Sequence, residues 1–163
     1  MPRLTGIAVV AGLLAAGPAA AEVTVAFVHP QGFTDAGLHR TGPVDAQAPA
    51  LTGIRRILEQ EGQRLPPGQL LAIEVLDVDL AGYIRPGQAA SRPVRVMDAT
   101  TWPRIRLRYA LMQDGRRVTG GEELVADLSY QARSDAVRSS APLRFEEAML
   151  RDWFAGRFGT ARR

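Results

Sequence analysis

The spacing of apolar positions changes several times along the chain, and each change marks an element. The β-branched and aromatic run at residues 23–28 predicts a first strand, which ends at His29-Pro30 because proline has no N–H for the next ladder bond. Residues 31–49 hold Gly32, Gly37, Gly42, Pro43 and Pro49 with little apolar period, which predicts a long loop. Loops of that length in compact domains are usually functional or disordered. Leu51, Ile54, Ile57, Leu58 and Leu65 then fall on one stripe of a helix over residues 50–65, stopped by Pro66-Pro67-Gly68.

Residues 70–80 are the most apolar stretch after the N-terminal segment, and their period breaks. Leu71, Ile73 and Val75 share one face, whereas Leu76, Val78 and Leu80 take the opposite parity beside Asp77 and Asp79. Either both faces are covered or a bulge near Val75 flips the phase; both fit a central strand with a polar end. A second long loop over 82–93 and a short edge strand over 94–96 follow. Ile105, Leu107, Tyr109 and Leu111 alternate with Arg104, Arg106, Arg108 and Ala110, the signature of a half-buried strand.

Asp114-Gly115 is a strong hairpin turn signal, because a type I′ turn needs positive φ at both central positions. The return strand is expected over 117–130 with Leu124, Ala126, Leu128 and Tyr130 inward. A two-residue turn would set Ile105 against Leu124 and Arg106 against Glu123. It would also set Glu122 against Leu107, a poor match that points to a bulge at Gly120-Gly121. After a polar loop over 134–142, Phe145, Met149 and Trp153 form one row of a last helix over 143–158, and Leu150, Phe154 and Phe158 form the next. Gly159 is its expected cap, and residues 160–163 a frayed tail.

The order β-α-β-β-β-α predicts an α+β two-layer domain, with helices packed on one face of a mixed, mainly antiparallel sheet. A strand-helix-strand unit within one sheet makes its strands parallel and its crossover right-handed. The ends of the first two strands, the start of the third and the end of the fourth then share one pole.

The N-terminus adds an address. Met1-Pro2-Arg3, an apolar run over residues 4–16 and Ala19-Ala20-Ala21 together read as a secretory signal peptide over 1–21, leaving one globular domain over 22–163. The apolar run is too short for a membrane span, which needs roughly 20 residues. The chain has no cysteine, so it offers no disulfide, thiol nucleophile or lipobox anchor. Periplasm, or release from the cell, is the expected location. The net charge is +3, loss of Arg3 lowers it by one, and all 20 basic residues are arginine. A nearly neutral exported domain is a poor partner for nucleic acid.

The shared pole gathers His29, Phe33 and Asp35 from the first loop, Asp77, Asp79 and Tyr83 from the second strand's end, Trp102 and Arg104, and Asp127 and Tyr130. Phe33-Thr34-Asp35, Val78-Asp79-Leu80-Ala81-Gly82, Thr101-Trp102-Pro103-Arg104-Ile105, Asp127-Leu128-Ser129-Tyr130 and the closing stretch 145–154 resemble a bacterial exported family known as domain of unknown function 3016. The resemblance implies an exported single domain and carries no activity, cofactor or catalytic residue.

Two arrangements suit the aspartates. They can pair with the stripe of Arg104, Arg106 and Arg108, or Asp35, Asp77, Asp79 and His29 can hold a hard divalent cation, as in a metal-binding protein or metal-dependent hydrolase. The ladder is preferred, because the alternating acidic spacing of a calcium loop is absent. Neither histidine sits in a metalloprotease or hydrolase motif. Trp102, Tyr83, Phe33 and Tyr130 form either an aromatic platform for a sugar or peptide, or a satellite core that fastens the loops. The expected role is a non-enzymatic, cofactor-free binding or accessory domain for an envelope protein or glycan.

Overall fold

A computed structural model describes residues 20–85 and 93–159. The predicted signal peptide up to residue 19 and the tail 160–163 lie outside the described residues. Strands β1 (Glu22–Phe27), β2 (Gln69–Asp79), β5 (Arg104–Gln113) and β6 (Arg116–Ala126) form one sheet in the order β1-β2-β5-β6. β1 and β2 are parallel and the other neighbours antiparallel. Helices α1 (Pro49–Gly62) and α3 (Arg144–Phe158) cover one face of this sheet, giving the α+β architecture.

The main core follows from the two periods. Leu51, Ile54 and Leu58 of α1 and Met149, Leu150 and Phe154 of α3 meet Leu71, Ile73, Val75, Ile105 and Leu107 of the sheet. On β5 the alternate residues Arg104, Arg106 and Arg108 are exposed, so one sheet face is dry and the other wet. α1 stops at Gly62, short of Leu65, which is buried beyond the helix end. At Gly62 an added Cβ would lie 2.0 Å from Val23 Cγ2, so the end of α1 sits against the start of β1.

The phase break in β2 is a bulge. Val75 faces Leu107 and Asp77 faces Arg106, so Leu76 is the extra residue, and Val75 and Val78 both point into the core. The turn at Asp114 (φ 51°) and Gly115 (φ 73°) has both central residues at positive φ.

In β6 the register differs from the expected one. The two-residue turn sets Gln113 against Arg116 and Met112 against Arg117, but Leu111 faces Thr119, so the bulge falls at Val118 and not at Gly120-Gly121. Gly120 is needed for close approach, since a Cβ there would lie 2.6 Å from the Tyr109 carbonyl oxygen, whereas a Cβ on Gly121 would meet the Tyr109 ring at an ordinary 3.9 Å. One inserted residue inverts every side chain beyond it. Ile105 therefore faces Val125, Leu107 faces Glu123, Val125 is buried, and Leu124 is 58% exposed. Leu128, also expected inward, is exposed beyond the strand end, and Tyr130 is buried from a 3-10 turn, Tyr130–Ala132.

Three further expectations change. Residues 94–96 do form a strand, β4 (Val94–Val96), but it pairs in a separate two-stranded sheet with β3 (Tyr83–Arg85), which lies within the predicted loop over 82–93. The polar loop after β6 contains a short helix, α2 (Ser134–Arg138). Gly159 does end α3, in an extended conformation (φ −61°, ψ 132°), not a left-handed one.

Candidate functional site

After β1 the chain returns to the sheet for one residue. Asp35 makes an isolated parallel bridge to Asp79, its N–H donating to Val78 O (2.9 Å) and its carbonyl accepting from Leu80 N–H (3.0 Å). Asp35 and Asp79 are thus neighbours at the end of β2. Arg104 opens the adjacent strand and reaches Asp79 with Nη2 2.6 Å from Oδ2. Burial pushes the Asp79 carboxyl above its usual value, the hydrogen bond and charge of Arg104 oppose that rise, and the neighbouring Asp35 and Asp77 add to it. Asp77 accepts from Thr34 N–H (2.7 Å) and Thr34 Oγ1 (2.8 Å), which staples the first loop to β2.

The partner of Asp35 is Arg95 on β4, a residue absent from the sequence-derived set. Its Nη2 donates to Asp35 Oδ2 (2.9 Å), Asp35 Oδ1 (3.1 Å) and Gly37 O (2.6 Å), and its Nη1 to Ala81 O and Gly82 O (both 3.1 Å). The Arg95 side chain is only 9% exposed. One guanidinium therefore ties the first loop, the turn after β2 and the small sheet together. Its Nε is buried without a partner.

Beneath it lies a second unforeseen group. Glu146, in the first turn of α3, is 2% exposed and accepts from Ala81 N–H at 2.8 Å. Burial raises its pKa, while the Ala81 N–H and the charges of Arg95 and Arg144 pull it back less strongly. Its place was legible: with Met149, Leu150 and Trp153 it follows i, i+3, i+4, i+7 on the buried stripe. Nothing in linear spacing links Asp35 to Arg95.

A raised folded-state pKa means that the fold favours protonated Glu146. That stability is complete below the unfolded pKa and is lost as pH rises through the folded one. Glu146→Gln keeps an acceptor for Ala81 N–H and removes the titration, so the stability difference between the two proteins should change across that window. Urea denaturation at a series of pH values measures it, and parallel curves would refute the assignment. Glu146→Leu should cost about 1–3 kcal/mol at acidic pH through the orphaned Ala81 amide.

The remaining pole residues divide between satellite packing and surface. Tyr130 packs edge-to-face on Phe145 (4.7 Å between centroids) in a second core with Ala81, Ala136 and Ala148, against which Met97 and Trp102 rest. Phe33 meets Phe27 edge-on at 6.4 Å. Asp127 is bound by Arg133 and accepts from Ser129 N–H (3.0 Å), while Arg133 also reaches Asp152. Tyr83 is 43% exposed, and His29 lies exposed in a left-handed turn (φ 52°). Among the described residues, no three of His, Asp or Glu are grouped to hold a metal ion.

Residues 21–156 match the family model described as "Protein of unknown function (DUF3016)". No curated protein and no solved structure matches the chain.

Proposed function

Because the chain belongs to the DUF3016 family, whose description assigns no activity, we propose from its own geometry an exported, non-catalytic accessory domain that binds an envelope protein or glycan. The observation that carries this reading is the internal matching of the pole's charges. Asp35 is held by Arg95, Asp79 by Arg104 and Asp127 by Arg133. A general base or nucleophile must be free to meet substrate, and these carboxylates are engaged within the chain. Around them Tyr83, Val94 and Leu128 remain exposed, and aromatic residues such as Tyr83 are enriched at binding surfaces.

The export reading rests on the sequence of residues 1–21, and β1 opens at Glu22, the residue expected to follow cleavage. No described helix is long and apolar enough to cross a membrane. Fractionation followed by N-terminal sequencing should recover the protein outside the cytoplasm beginning at Glu22; a chain retaining Met1 in the cytoplasm would end this reading. For the surface, crosslinking in intact cells should give a defined adduct that Tyr83→Ala with Leu128→Ala abolishes. An adduct unchanged by both substitutions would move the contact elsewhere.

A further inference from the structure

Between the loop that follows β1 and the first turn of α1 lies a cavity of about 340 Å³, whose lining includes Leu38, His39, Arg40, Val44 and Pro49. That volume sits at the small end of the roughly 300–1,000 Å³ typical of ligand pockets. Its floor is apolar, because Ala36 and Val44 belong to the main core and Leu38 packs against it.

The walls are fixed by the fold. Arg95 holds the Gly37 carbonyl at 2.6 Å, and Ala48 N–H donates to Asp45 O at 3.0 Å. A Cβ on Gly37 would lie 2.0 Å from Arg40 O, and Gly42 sits at φ 101°, so glycine is required at both bends.

The charges at the rim are unequal in their commitments. Asp45 Oδ1 already accepts from Gln47 N–H at 2.9 Å. None of the ion pairs among the described residues involves Arg40. α1 begins at this rim with no side-chain cap and no acidic residue in its first turn, so its positive end reinforces Arg40.

We infer that this cavity binds a small carboxylate with a compact apolar body, the body on Ala36, Leu38 and Val44 and the carboxylate on Arg40. A short-chain fatty acid and the last residue of a peptide both carry that chemistry. The site does not rest on the partner surface proposed above, since Tyr83, Val94 and Leu128 are not among its lining residues.

The test is an amide-shift titration of the isotope-labelled full chain with hexanoate and N-acetyl-L-leucine, each beside its uncharged amide. A carboxylate should give saturable shifts centred on residues 36–51, binding about tenfold more tightly than its amide, the worth of one charge-assisted hydrogen bond. Arg40→Gln, at an exposed position, should bring the acid down to the level of the amide. The carboxylate that saturates at the lower concentration identifies the source. Three results would overturn the inference: no saturable shift with either acid at tens of millimolar, shifts centred elsewhere, or equal binding by acid and amide.

Discussion

Replacing Arg95 with alanine is expected to cost about 3–5 kcal/mol of folding stability, the range for removing one partner of a buried ion pair and leaving the other uncompensated. The substitution takes away two bonds to Asp35 and leaves the carbonyls of Gly37, Ala81 and Gly82 without this donor. Asp35 is 21% exposed at its side chain and recovers some water, which favours the lower part of the range. Arg95→Lys should recover only part of the loss, because an ammonium cannot serve both sides of the planar fork. Urea denaturation of Arg95→Ala, Asp35→Asn and the double variant gives the coupling directly. Additive effects, or a single-variant loss below about 1 kcal/mol, would mean that the pair is not what fastens the first loop to the small sheet.

Tyr130→Ala should be comparably damaging, at about 3–5 kcal/mol, the scale of emptying a buried aromatic site. The side chain is fully buried, stacks edge-on against Phe145 and donates its hydroxyl to Asp98 O at 2.8 Å. Tyr130→Phe keeps the ring and should lose only about 1 kcal/mol with the hydrogen bond. The pair of variants separates packing from hydrogen bonding. Trp102, one of two tryptophans, rests on this cluster and reports its integrity by fluorescence. If Tyr130→Ala perturbed Trp102 without shifting the global transition, the second core would unfold separately from the first.

Both effects concern residues that linear pattern placed poorly. Alternation places Tyr130 on the inward face of a strand, but β6 ends at Ala126 and the ring enters a different core from a turn. Arg95 stood in a three-residue strand with no pattern around it, and its carboxylate partner lies 60 residues away. Asp79 and Arg104 were easier, because antiparallel neighbours joined near one pole bring a strand's end beside the next strand's start.

What the sequence determined by itself was everything governed by local spacing. The stripes of α1 and α3, the alternation of β5, the phase flip after Val75 and the positive-φ turn at Asp114-Gly115 each arise from side chains within a few residues of one another. Tertiary structure decided the rest. The bulge at Val118 falls between the Leu111–Thr119 and Met112–Arg117 pairs, and it turns Leu124 outward and Val125 inward. The Arg95 clasp, and the Ala81 amide that meets Glu146, likewise depend on which segments meet. Alternation has a period of two and is written locally, whereas register and charge pairing are set by contacts across tens of residues, where one inserted residue reverses every face that follows.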